Sequence, residues 1–303
     1  MNGFRAYREG VSRAAGYWEL VVVMVVVGLL SALVAAAPAA VVLLAPARRP
    51  AIQSVIDGVD GWMVIEALST PPIEEGAAAF AGGAGAIALP ALLAIGTVLL
   101  SGWLSGAFLS GGALRIYADG DEFRLRRFVR TSWRWFGTLL LVALLQAIGT
   151  ILLFALLLAL AGAGVIAIGG WMAGLIVPVL LVVALLWLVV WELARVAIVV
   201  GDRRNVFRAL GRAVSFVFRR PLDVAVLYAL SFVSWVALYG LYRWALVPRF
   251  PRAWWLLTFL LQQAFIAFWL WIRLGRWAGG VALFQADGKA TVIGAADEEY
   301  RSD

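Results

Sequence analysis

Cysteine and histidine are both missing from this 303-residue chain, and lysine occurs once, at Lys289. Their absence removes disulfides, thiol nucleophiles, Cys/His zinc sites, His-ligated haem and every Ser-His or Cys-His triad. Charge is also scarce. Asp, Glu, Lys and Arg make up 14% of the residues against 64% hydrophobic, with a mean hydropathy of +0.94, far from the mix of a soluble domain. Alternating segments of about ten residues, the mark of a membrane β-barrel, are absent too.

What is present is a series of apolar runs that reach the ~20 residues a helix needs to cross the hydrocarbon core at ~1.5 Å per residue. They predict spans at about 19 to 45, 86 to 117, 136 to 162, 171 to 200, 222 to 246 and 254 to 284. Arg5, Arg8 and Arg13 ahead of the first run resemble the start of a signal peptide. The run from Leu20 to Leu44 is longer than a signal core, which reads as an uncleaved first span.

The basic residues are twenty-four Arg and one Lys, and they orient the spans. With the N-terminus inside, 20 of the 25 fall in internal segments, while Arg48, Arg49, Arg243, Arg249 and Arg252 fall outside. This predicts a multi-pass inner-membrane protein with both termini cytoplasmic. On the other side, Ile52, Val55, Ile56, Val59 and Met63 recur at helical spacing, as in a short helix resting on the outer surface.

Between the runs lie arginine-rich stretches. In GDRRNVFRALGRAVSFVFRRP, Gly201 to Pro221, six arginines fall within twenty-one residues. A helix there places Phe207, Leu210, Val214, Val217 and Phe218 on one stripe, with Arg208, Arg212, Ser215 and Arg219 opposite. That pattern fits an interfacial helix whose guanidinium groups meet anionic lipid headgroups. In DGDEFRLRRFVRTSWRWFG, Asp119 to Gly137, one face carries Leu125, Phe128, Val129, Ser132, Trp135 and Phe136, and the other Arg126, Arg127, Arg130 and Arg134. FRAYREGVS, Phe4 to Ser12, matches FRALGRAVS, Phe207 to Ser215, at Phe, Arg, Ala, Val and Ser.

Span ends repeat as well. GGALRIYADG, from Gly111, and GGVALFQADG, from Gly279, share the leading glycines and the closing Ala-Asp-Gly, and ELARVAIVVGD ends the fourth span comparably. The reading is an all-α, polytopic bundle of about six transmembrane helices in three hairpins, each preceded by an amphipathic cytoplasmic helix. The units run about 1 to 118, 119 to 205 and 206 to 303, with residues 296 to 303 as a disordered tail.

GGALRIYADGDEFRLRRFVRTSWRWFG and RVAIVVGDRRNVFRALGRAVSFVFRRP give the chain a layout that resembles bacterial six-helix membrane proteins of mostly unassigned function, akin to the membrane domain attached to some glycerophosphoryl diester phosphodiesterases. The resemblance implies a polytopic bundle. It does not imply phosphodiesterase activity, because the chain has no soluble catalytic domain and no histidine for acid/base work.

Ionisable residues inside spans point to function. The candidates are Glu192 and Arg195 in the fourth span and Arg273 and Arg276 in the sixth, with Glu192 expected to face Arg273 or Arg276. Such a group forms either a cytoplasm-facing polar site or an ion pair that fixes packing. One carboxylate alone does not make a proton relay or a cation site. SGWLSGAFLSGG, Ser101 to Gly112, places small residues four apart, at Ser101 and Ser105 and at Gly102 and Gly106, for close helix contact. Ser105 has no base to activate it.

AGAGVIAIGG, Ala161 to Gly170, lacks the lysine of a phosphate loop. Most of the fifteen tryptophans fit interfacial belts. No cofactor, metal, catalytic residue or nucleic-acid site is therefore expected. The first expectation is a non-enzymatic accessory or scaffold that organises lipid or a membrane protein complex, contacting headgroups through Arg126, Arg130, Arg134, Arg208, Arg212 and Arg219. The alternative is a transporter component with a polar cavity at Glu192 and Arg273.

Overall fold

The computed structural model describes residues 1–43, 85–168, 173–202, 205–246 and 255–302, and among these the regular structure is entirely helical. In order they are α1 (Gly3–Gly16), α2 (Trp18–Leu43), α3 (Gly85–Asp119), α4 (Leu125–Ile168), α5 (Ala173–Val200), α6 (Val206–Arg219), α7 (Pro221–Gly240) and α8 (Trp255–Ser302). A π-helical turn, Leu241–Leu246, continues α7. Four stretches are long and apolar enough to cross a membrane: Leu125–Leu160, Pro178–Val200, Pro221–Trp244 and Leu256–Gly288. A fifth arises if α1 and α2 count as one span bent by 73°.

The expected outer-surface helix at 52 to 63 lies outside the described residues, as does the end of AGAGVIAIGG. One expectation changes. The arginine-rich segment from Leu125 is not a separate helix, because Gly137 alone does not stop it and no Pro follows, so it runs unbroken into the 44 residues of α4. The bounds of α8 reach Ser302.

The chain forms two compact units, Val26–Ser105 and Met1–Val25 with Gly106–Asp303. In the first, Leu30, Leu33, Val34 and Leu100 are exposed, and Ser105 Oγ donates to the Gly102 carbonyl at 3.2 Å, the ordinary way a helical hydroxyl is satisfied.

In the second unit the core is concentrated where the arginines are. Along α5, Leu181, Leu185 and Leu188 are exposed, whereas Leu193, Ala194 and residues 196 to 199 are buried. Along α8, Phe259, Phe268 and Trp269 are exposed, whereas residues 274 to 283 are buried apart from Arg276. Exposed apolar surface on this scale is stable against hydrocarbon, not against water.

Small residues allow that packing. α1 buries Gly3, Ala6, Gly10 and Ala14 against α7 and α8. A Cβ at Gly10 would lie 2.6 Å from the Gly279 nitrogen and also overlap the Gly275 carbonyl, so the two backbones touch. A Cβ at Gly112 would collide with Ser132 and Phe128 of α4. The repeated Gly-Gly pairs thus mark where α3 and α8 receive an arginine-bearing segment, from α4 and α1 respectively. α5 receives α6, through a core that includes Leu193, Ala194, Ala213, Phe216 and Val217. By contrast Gly102 and Gly106, expected to make close contacts, have nothing near a built Cβ among the described residues.

Helix ends need partners for their free backbone groups. Asn2 and Asn205 cap α1 and α6 identically, each side chain accepting from the nitrogen three residues on, at 3.0 Å. The Asp223 carboxylate accepts from Gly3 N at 2.8 Å, and Tyr7 and Ser234 hydroxyls meet at 2.6 Å, clamping α1 onto α7. At the end of α3, Arg13 donates to the Tyr117 carbonyl at 3.1 Å and Gln285 to that of Ala118 at 2.8 Å.

Candidate functional site

α6 has three faces, not the two read from sequence. Successive helical side chains turn by about 100°. Val206, Ala209, Ala213, Phe216 and Val217 form the buried face. Phe207 and Phe218, 75% and 78% exposed, flank Val214 on a second, apolar face. Arg208, Arg212 and Arg219 are exposed on the third. Val217, expected on the lipid-facing stripe, packs inward instead, because Ala209 and Ala213 are small enough to bring the helix against its neighbours on that side.

The start of α4 repeats this arrangement in the same rotational order. Phe128, Ser132 and Trp135 are buried, Leu125, Val129 and Trp133 are exposed and apolar, and Arg126, Arg127, Arg130 and Arg134 are exposed and basic. α1 repeats it with buried Ala6 and Gly10, exposed Phe4, and exposed Arg5 and Arg8. Phe128, Ser132 and Trp135 therefore leave the lipid-facing stripe that sequence assigned them. They pack on Gly111 and Gly112, whose missing side chains make the room.

The arginine rows of α4 and α6 meet at the turn between α5 and α6. Arg134 bonds Asp202 at 3.1 Å, and the Arg212 guanidinium lies beside Gly201. Asp202 holds a positive φ of 46°, a conformation Asp tolerates better than most residues.

Farther along α5 and α8, Glu192, Arg195, Arg273 and Arg276 come together. Arg276 Nε donates to Glu192 at 2.9 Å, with the two side chains 30% and 17% exposed. The Tyr228 ring lies 5.4 Å from the Arg276 guanidinium carbon and interacts with Glu192. Arg195 donates to Gln146 of α4, leaving its buried Nε without a partner among the described residues. Arg273 has no hydrogen bond or ion pair among the described residues; it stacks over Trp277 at 4.8 Å and Trp269 at 6.0 Å, within electrostatic reach of Glu192.

Three guanidiniums and one carboxylate leave two positive charges uncompensated. In a medium of low dielectric such a group favours an anion and repels a cation. Gln146 and Tyr228 complete the cluster. From sequence Gln146, like Gln262 and Gln263, reads as a helix-to-helix hydrogen bonder ahead of the alternative of lining a polar path, and Tyr228 carries no signal of its own.

A separate open cavity of about 910 Å³ is lined by Arg13, Tyr17, Tyr117, Phe284 and Gln285. Arg13 and Gln285 there are already engaged by the α3 carbonyls or by Glu9, so the cavity offers a largely apolar lining. Among the described residues no cluster of Asp and Glu could hold a metal ion. No known protein family, characterised protein or solved structure matches this chain.

Proposed function

We propose that the chain is a non-enzymatic, six-span protein of the inner membrane, with three hairpins and both termini cytoplasmic, that organises anionic lipid and seats a membrane protein partner. The observation that carries this reading is the three-sided α6. Protein packing, exposed Phe207 and Phe218, and exposed Arg208, Arg212 and Arg219 each occupy their own face. A helix in water has no use for the second face, and one in hydrocarbon none for the third. The boundary between them satisfies both.

Purification in native lipid tests it. The lipid retained by the protein is expected to be enriched in anionic species over the bulk membrane. R208Q/R212Q/R219Q, changes that touch no buried side chain, should lower that enrichment; retained lipid of bulk composition would overturn the reading. Topology has its own check, since the chain has no native cysteine. S54C and S215C should label from opposite sides of the membrane.

The transporter alternative rests on the Glu192–Arg276 pair within the apolar helices. It predicts anion flux in proteoliposomes that E192Q abolishes while the protein remains folded; no flux in the unmodified protein removes it.

A further inference from the structure

We propose that the cleft beside the arginine row of α4 is the headgroup site of an anionic phospholipid, whose acyl chain lies along the adjoining apolar stripe. This rests on the reading that the arginine-rich end sits at a membrane surface. The cleft encloses about 470 Å³, and its wall carries Arg115, Arg127, Arg130 and Arg134 against a single carboxylate, Asp119. That is room for a phosphate with its glycerol and ordered water, a water occupying about 30 Å³.

The four arginines are not equally free. Arg115 and Arg127 share Asp119 at 2.9 and 3.4 Å, and Arg127 also pairs with Asp121. Arg134 is held by Asp202. Arg130 has no hydrogen bond, ion pair or ring contact among the described residues, so it is the guanidinium that an incoming phosphate would meet first, with Arg134 one turn away.

What distinguishes a lipid from a soluble phosphate is the neighbouring surface. Trp133, 72% exposed, stacks on Phe136 with ring centroids 5.9 Å apart, and Phe108 packs edge-on against both. From this aromatic ledge Gly137, Leu141, Leu144 and Ile148 continue as an exposed stripe along α4. At ~1.5 Å per residue, Gly137 to Ile148 spans about 16 Å, close to half of a ~30 Å hydrocarbon core. A soluble anion would use the arginines and gain nothing from the stripe.

The test is native mass spectrometry of the full chain released from nanodiscs of mixed phosphatidylglycerol and phosphatidylcholine. The expected result is preferential retention of phosphatidylglycerol, reduced about tenfold by R130Q and further by R130Q/R134Q. L141S/L144S, on the stripe and outside the cleft wall, should weaken retention of the lipid but leave binding of chainless glycerophosphoglycerol unchanged. Because Arg130 makes no hydrogen bond, ion pair or ring contact among the described residues, R130Q should melt like the unmodified protein.

Equal retention in R130Q and R130Q/R134Q, at the level of the unmodified protein, would overturn the site. Glycerophosphoglycerol or inorganic phosphate binding as tightly as the lipid would overturn the lipid assignment. R208Q/R212Q on α6 separates the two levels of inference. If only the α4 variants leave retention unchanged, the cleft alone fails; if the α6 variants do so too, the lipid-organising function fails with it.

Discussion

Replacing Gly10 by alanine tests the packing on which the arginine-rich end depends. A Cβ there would lie 2.6 Å from the Gly279 nitrogen and 2.9 Å from its Cα, where ordinary contact begins near 3.4 Å. The obstructing atoms are backbone, so no rotamer change relieves the overlap, and α1 must withdraw from α8 by at least about 0.8 Å to clear the Gly279 nitrogen, the difference between 3.4 and 2.6 Å, and by more to clear the Gly275 carbonyl. Ala6 and Ala14 share that interface and are both fully buried, and a gap of about 0.5–1 Å forfeits a quarter to a half of each dispersion contact. Overpacking of this kind costs about 1–3 kcal/mol or more. Better helix propensity returns about 1 kcal/mol at most. The net expectation is a destabilisation of about 2 kcal/mol, or roughly thirtyfold in the unfolding equilibrium.

Gly16 is the control. It lies in the same helix with nothing within 4 Å of a built Cβ, so G16A should leave stability unchanged or slightly raised. Reversible denaturation in detergent, followed by tryptophan fluorescence, measures both. If G10A is as stable as G16A, the backbone contact between α1 and α8 is wrong.

The charge count at the intramembrane cluster predicts an asymmetry. E192Q leaves Arg195, Arg273 and Arg276 with no counter-charge, whereas R276Q leaves one carboxylate between two guanidiniums, so E192Q should be the more destabilising by about 1–2 kcal/mol in the same denaturation assay; the reverse order would refute the charge imbalance. For the helix caps, N2A and N205A should each cost about 1 kcal/mol and speed amide exchange in the first turn of α1 or α6 alone. Equal exchange in the variants would show that these caps contribute nothing.

Much of the architecture is legible in the order of residues because burial in a bilayer is a matter of length and polarity. Runs such as that from Leu139 to Leu160 declare helices without reference to any neighbour, since every backbone group in hydrocarbon must be bonded within its own segment. The segregation of arginines into α1, α4 and α6 follows from a period of about 3.6 residues, and the meeting of Glu192 with Arg276 follows from the scarcity of charge within the spans. The third face of α6 was not legible, because Ala209 and Ala213 read as neutral on a helical wheel. Likewise Gly102 and Gly106 carry the same small-residue signal as Gly111 and Gly112, yet only the second pair meets a neighbouring helix among the described residues.

Sequence by itself determined that the chain is helical, apolar and basic at one end of its helices, because hydropathy and periodicity are local sums over neighbours in the chain. Only the tertiary structure decided which small residues became contacts, that α1 closes against α8 at the far end of the chain, and that Arg130 stands apart while Arg127 and Arg134 are held by carboxylates. Those outcomes depend on which surfaces approach to within a few ångströms, a relation between distant segments that no local pattern contains.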